Sequence, residues 1–431
     1  MNRLEFPELD EVLYTETLEN GLTVLVLPRK GFSKSLAYFM TDYGSVHTHF
    51  SLDGTEYHAP AGVAHYLEHK LFDMPGGRDV SAEFARLGAM TNAFTSYDMT
   101  AYYFSCTAHF DECLKLLLEF VSTPYFTEES VRKEQGIIDQ EIGMNADAPD
   151  SVVFENMVQR LYHTHPIRIP ILGTSETIRE ITPKTLHLCH RAFYTPGNML
   201  LCVVGDVDPE FVADTARQVL GTEEKSVGIK LPFGYEPMEA AEAETVCAME
   251  VAMPMFSLAF KCEPLDKGDD AIRQEMVADL AAEVLFGESS PLYLKLYEEG
   301  IIDSSFGGGY ETIDGCALLN CGGDSDFPEK VRDAILAEAQ RICRDGIEPD
   351  SFLRLKRSAM GRRIRDLDGF DATCFRLCAY DMTDFDYFRF PELYSAIDAE
   401  EVCQFIHQVV RPEGCSLSII YPTKEEPYES Q

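Results

Sequence analysis

The stretch His65-Tyr66-Leu67-Glu68-His69, set within Gly62-Val63-Ala64-His65-Tyr66-Leu67-Glu68-His69-Lys70-Leu71-Phe72, has the spacing of a helix with two unlike sides. Residues three and four apart share a helix face, so His65, Glu68 and His69 project together while Val63, Leu67 and Leu71 line an apolar side. Two imidazoles at i and i+4 form a clamp suited to zinc, and a carboxylate beside them can take the proton of a water held there. A helix that buries one side and presents this polar set on the other needs a layered fold around it.

A chain of 431 residues, 45% hydrophobic and 25% charged, has enough apolar content for two domains or one large one. No apolar run approaches the roughly 20 residues that span a bilayer, so no membrane span is expected. The opening Met1-Asn2-Arg3-Leu4-Glu5-Phe6-Pro7-Glu8 lacks the charged-then-apolar build of a signal peptide. Thirteen scattered cysteines suit free thiols better than a disulfide framework, and Cys374 and Cys378 read as small buried hydrophobes on a helix. These features predict a cytoplasmic protein. The formal charge of −37 repels phosphates and excludes nucleic acid as a partner, while an acidic surface is compatible with basic peptides.

Along the chain the pattern alternates between strands and helices. Thr23–Leu27 follows the turn signal Asn20-Gly21, and Ser35–Met40, Thr100–Ser105 and Asn198–Asp206 read as further strands. The motif helix is expected to begin after Pro60, and a second long helix to run from Thr127, as N-cap, through Glu141. The stretch from Gly221 to Ala243, rich in Glu, Gly and Pro, reads as a connection. Beyond it the pattern restarts: Val63–Phe72 recurs as Val277–Phe286, with Asp279, Ala282 and Glu283 standing where His65, Glu68 and His69 stood. The expected organisation is therefore a metal-bearing domain at 1–222, a linker at 223–242 and a duplicated domain without the metal site at 243–431.

Catalytic zinc usually takes three protein ligands, so the two histidines require one more donor. The second long helix offers Glu134 and Glu141 on one face, with Asp139 pointing elsewhere. Spacing alone leaves the choice open, because it cannot bring the two helices together. His47, His49 and His58 upstream, and His163 and His165 downstream, read as loop or satisfied polar residues rather than ligands.

The ordered anchors resemble the pitrilysin, insulinase and mitochondrial processing peptidase family of zinc metallopeptidases, whose signature is the inverted motif His-x-x-Glu-His. They are the motif His65 to His69 with Phe72, Asn92-Ala93-Phe94-Thr95-Ser96 with Thr100-Ala101-Tyr102, and Glu134 with Glu141. The trail continues through His165-Pro166, Leu172-Gly173-Thr174, Asn198-Met199 and Gly205-Asp206-Val207-Asp208. The resemblance runs from about Asn20 to Pro209 and more weakly to the C-terminus.

It implies an α+β fold of two homologous domains, each a mostly antiparallel sheet backed by helices. It also implies one zinc ion per chain, held by His65, His69 and Glu141, with Glu68 as general base and Glu134 as an auxiliary acid supporting the site. Asn92 and Ala93 match the strand along which substrate pairs as an added strand. The implied activity is endopeptidase hydrolysis of peptides or unfolded segments. The rival readings are a non-catalytic scaffold subunit and a zinc hydrolase of a small non-peptide molecule. The pattern departs in the second half. Tyr297 falls where the family carries a substrate-gripping arginine and Asp303 falls near its tyrosine, in a segment one residue short. The resemblance thus implies a clamshell of two chains, this one pairing with a paralogous subunit that lacks the zinc motif, or with itself.

Overall fold

The computed structural model describes residues 1–423, and two compact units account for them. In the first unit a seven-stranded sheet runs in the order Asn2–Phe6, Glu11–Thr17, Thr23–Pro28, Met199–Gly205, Ser35–Thr41, Thr100–Cys106, Met90–Thr95. Only Met199–Gly205 against Thr23–Pro28 is parallel; the other pairs are antiparallel. Every residue of the two central strands, Ser35–Thr41 and Met199–Gly205, is buried. Strands buried on both faces lose the apolar/polar alternation, which is why they read as continuous apolar runs. Phe39, Leu201 and Val203 belong to the core shared with helix Phe110–Ser122. On the other face the Cys374 thiol, on helix Phe370–Asp381, donates to the Cys202 carbonyl at 3.3 Å.

The second unit holds a five-stranded sheet in the order Glu244–Met249, Cys415–Pro422, Met255–Cys262, Cys316–Asp324, Gly307–Ile313. Its single parallel pair is Cys415–Pro422 with Glu244–Met249, and the remaining pairs are antiparallel. These five strands repeat, in chain order and in direction, the last five positions of the first sheet. The duplication read from two helices is thus carried by the topology. Helix Asp269–Phe286 takes the place of the motif helix, and neither group of side chains able to hold a metal ion among the described residues includes Asp279 or Glu283.

The units interleave along the chain, whereas the sequence pattern predicts contiguous segments at 1–222 and 243–431. The first comprises Met1–Ile142, Ile169–Pro232 and Arg362–Arg389; the second comprises Gly143–Arg168, Phe233–Gly361 and the chain from Phe390 onward. Helix Pro149–Leu161 packs on strands Met255–Cys262 and Cys415–Pro422, and helix Phe370–Asp381 packs on Ser35–Thr41 and Met199–Gly205. Each sheet needs an apolar helix on its second face, and each takes it from a distant part of the sequence. Part of the expected linker is also structured: Ile229–Lys230 pairs with His49–Leu52. All thirteen cysteines are free, Cys374 and Cys378 among the buried ones. No helix among the described residues is long and apolar enough to cross a membrane.

The motif helix spans Val63–Lys70, starting later than Pro60 because Gly62 sits in the left-handed region at φ 87°. There the chain meets the loop around Gly173, itself at φ 74°, backbone to backbone. A Cβ on Gly62 would lie 2.4 Å from the Leu172 carbonyl oxygen, and one on Gly173 would lie 2.5 Å from that of Ala61. Both the dihedral and the contact forbid a side chain at either position. Gly62→Ala is expected to lower unfolding stability by about 1–3 kcal/mol, read from urea or thermal unfolding. An unchanged transition would show that this loop contact does not seat the helix.

Candidate metal centre

The motif helix is mostly buried: Val63, Ala64, His65, Tyr66, Leu67 and Lys70 are all inside. Its partner is the long helix Glu128–Ala146, which begins after Thr127, whose hydroxyl accepts from the Ser130 N–H at 3.1 Å. Only Val131 and Ile138 of that helix are buried. Glu134 and Glu141 each follow one of these anchors by three residues, so one apolar stripe positions both carboxylates. The two helices are joined by the Tyr66 hydroxyl, which donates to the Val131 carbonyl. Gln135 secures the long helix further, its amide donating to the Ile178 and Ile181 carbonyls at 3.4 Å each. Asp139 points away, as expected, and accepts from the Ser175 hydroxyl.

This packing brings His65, His69 and Glu141 together, with one donor atom of each lying within 4.8 Å of the others. Glu141 Oε1 is 3.6 Å from His65 Nε2, and its Oε2 is 3.5 Å from His69 Nε2. Zinc bonds of about 2.0–2.2 Å place tetrahedral donors about 3.3–3.6 Å apart, and the two histidine–carboxylate separations lie in that range. On its far side His69 Nδ1 meets Glu134 Oε1 at 3.0 Å. A carboxylate on Nδ1 fixes the tautomer that leaves the Nε2 lone pair for a metal. Glu134 is held in turn by Lys70, which is 1% exposed, lies 3.5 Å from the other carboxylate oxygen and also pairs with Asp73. His65 Nδ1 is buried without a hydrogen-bond partner among the described residues.

Electrostatics separate the two imidazoles. Burial, then the neighbouring His69, pushes His65 down to about 4, which keeps it neutral and able to donate a lone pair. Burial opposes charge on His69 as well, but the hydrogen bond to Glu134 and the nearby carboxylates outweigh it and raise its pKa. Burial also raises Glu68, against the pull of a hydrogen bond that Thr95 Oγ1 donates to Glu68 Oε2 at 2.8 Å. Glu134 moves the opposite way: burial opposes its ionisation, yet His69 and Lys70 hold it below the usual carboxylate range.

Thr95 ends the strand Met90–Thr95, the outer strand of the seven-stranded sheet. Asn92 and Ala93 lie on that same edge strand, and the Ala93 N–H donates to the Asn92 side-chain oxygen at 2.9 Å. The open sheet edge therefore starts beside Glu68. Thr95 had no assigned part in the sequence reading, although the anchor Asn92-Ala93-Phe94-Thr95-Ser96 contains it.

The upstream histidines read from the sequence as loop or satisfied polar residues fare differently. His47 is buried, and its Nδ1 accepts from the Gly44 N–H at 3.0 Å. His49 and His58, however, lie in strands rather than loops and meet Glu56. The signal was present in Asp53-Gly54, a hairpin turn pair flanked by alternating residues. His163 and His165 are satisfied polar groups: His163 Nε2 lies 3.2 Å from the Glu239 carbonyl oxygen and His165 Nε2 lies 2.9 Å from that of Asp314.

Known proteins resemble this chain over nearly its whole length. The model of the insulinase family (peptidase family M16) matches residues 54–175, a span that holds His65, Glu68, His69, Glu134 and Glu141, and that of the M16 inactive domain matches residues 180–359. A Bacillus subtilis (strain 168) protein named as an uncharacterized zinc protease, YmfH, is 35% identical over 97% of this chain and 99% of its own length. The crystal structure of an M16-like peptidase from Alicyclobacillus acidocaldarius superposes with a TM-score of 0.93 at 31% identity, covering 97% of this chain and 100% of that one. A protease from Helicobacter pylori shares the fold at a TM-score of 0.81 and 19% identity, covering 95% of this chain and 99% of its own.

Replacing Glu134 by Gln removes the charge behind His69 while keeping its shape. The expected outcome is a zinc affinity weakened about 10–100-fold, measured by competition with a chelator. Unchanged affinity would remove Glu134 from the support of the site.

Proposed function

Because the chain belongs to the insulinase family of metallopeptidases (peptidase family M16), we propose that it is a zinc-dependent endopeptidase acting on peptides or unfolded segments. The observation that carries this reading is the convergence of His65, His69 and Glu141 with Glu68 alongside on the same helix. Zinc bound by the three would supply a Lewis acid for the scissile carbonyl and bring the pKa of the attacking water to about 7. The remaining work falls to side chains. Glu68 takes the proton of the attacking water and passes it to the leaving amine. Thr95 orients Glu68 through its hydroxyl, leaving the other carboxylate oxygen free for that transfer. The substrate lies as an added strand along Met90–Thr95, where Asn92 and Ala93 present the open edge. Main-chain pairing of this kind tolerates many side chains, which favours a peptide over a small molecule with a shaped pocket.

Glu68→Gln is expected to keep zinc and lose peptide hydrolysis by at least about a hundredfold, general base catalysis being worth about 10²–10⁴-fold. Retention of most activity in a zinc-replete, purified variant would sink the assignment of the base.

The second unit supports a division of labour between chains. Tyr297, at the family's arginine position, is exposed and stacked on Tyr293 with centroids 5.8 Å apart. Asp303, near the tyrosine position, accepts from the Ser305 N–H at 2.7 Å. Neither offers a cation for a substrate carbonyl. The proposed assembly pairs this chain with a paralogous subunit that lacks the zinc motif and supplies the arginine and tyrosine; a homodimer is the second reading. In peptidase assays the paralogue should raise the activity of this chain at least about tenfold. Full activity of the isolated chain would argue against the division.

A further inference from the structure

Outside the motif, one other group of side chains among the described residues brings metal-binding atoms within 4.8 Å of one another: His49, Glu56 and His58. They sit on a hairpin formed by His49–Leu52 and Thr55–His58. The pairing places His49 directly opposite His58 and Ser51 opposite Glu56. Side chains alternate along a strand, so His49, Glu56 and His58 share one face while Phe50, Leu52 and Tyr57 share the other.

That register is firmly set. Asp53 and Gly54 occupy the turn with φ of 50° and 76°, the positive pair that a two-residue hairpin loop requires. Phe50 and Leu52 are buried, Phe50 meeting the Phe193 ring at 4.9 Å. A slip by one residue would expose both and bury the polar trio. The first strand is also paired on its other side, with Ile229–Lys230, and the His49 carbonyl accepts from Leu231 at 3.1 Å. The two imidazoles are thus presented by a rigid scaffold, with ring centroids 3.9 Å apart and planes inclined by 12°.

We propose that this hairpin face is a second metal site, binding a divalent transition ion of the zinc, nickel or copper class through His49, Glu56 and His58, separately from the motif. Glu56 Oε1 contacts His49 Nε2 and lies 3.7 Å from His58 Nε2, so one carboxylate oxygen faces both ring nitrogens. A single proton satisfies one imidazole–carboxylate contact; a divalent ion takes both nitrogen lone pairs and the oxygen at once, with water completing its shell. Imidazole donors select borderline transition ions over magnesium and calcium, which prefer all-oxygen sites. The chain's net charge of −37 concentrates cations at its surface. The three side chains are 35%, 61% and 73% exposed, so the ion exchanges freely and binds more weakly than at the buried motif.

The test is a zinc titration of chelator-stripped protein by calorimetry, with bound metal counted by atomic spectroscopy. Two ions per chain are expected in the wild type, one in His49→Gln/His58→Gln and one in His65→Gln/His69→Gln. The ion retained at the motif shows that the hairpin variant is folded. Glu56→Gln, an exposed and conservative change, should weaken the second ion at least about tenfold, and magnesium should not displace it. Wild-type protein binding a single ion that is lost with His65 and His69 would overturn the proposal, as would two ions in the hairpin variant. One ion persisting in the His65→Gln/His69→Gln variant and lost when His49 and His58 are also replaced supports the hairpin site, even where the peptidase reading fails.

Discussion

Tyr66 donates its hydroxyl to the Val131 carbonyl, and this buried bond joins the two helices that carry His65, Glu68, His69, Glu134 and Glu141, the proposed metal centre. The motif helix by itself holds two imidazoles and a carboxylate, which is one donor short of a catalytic zinc site. The long helix by itself is largely exposed, with Val131 and Ile138 as its only buried residues. With those anchors docked, Glu134 lies behind His69 and Glu141 faces both histidines. The buried Lys70 completes the junction by holding Glu134 from the motif helix itself. A buried cation is tolerated there because two carboxylates, Glu134 and Asp73, surround it.

The duplicated topology shows how a fold and a site part company. Both sheets use the same strand order and each has one parallel pair at the equivalent place. The apolar side of this helix is buried in both copies, through Ala64, Tyr66 and Leu67 in the first and Ala278, Leu280 and Ala281 in the second, whereas Asp279, Ala282 and Glu283 replace His65, Glu68 and His69 on the polar side. Packing constraints preserve the layers, while nothing in packing demands the imidazoles. Each sheet also completes its second face with a helix from elsewhere in the chain, so the compact units and the sequence halves do not coincide.

Legibility varied with the range of the interaction. The strands Ser35–Thr41, Thr100–Cys106 and Met199–Gly205 were visible because their apolar and β-branched content is a local property. His65, Glu68 and His69 were visible because a helix repeats every 3.6 residues. His49 and His58 read as loop residues, and their common face with Glu56 stayed hidden, because that face depends on strand register rather than on spacing along one element. Thr95 went unassigned for a similar reason: its partner, Glu68, lies on a different element.

The sequence by itself determined the apolar side of the motif helix, the inverted histidine pair on its polar side, and the repetition of that helix without its histidines. These rest on periodicities that act over a few residues and need no knowledge of what lies opposite. The tertiary structure decided which acid joins the histidines, which one stands behind them, and which helices cover which sheet. It also decided that three scattered polar residues share one side of a hairpin. Those outcomes depend on docking between segments far apart in the chain, where shape and burial, rather than local pattern, select the partner.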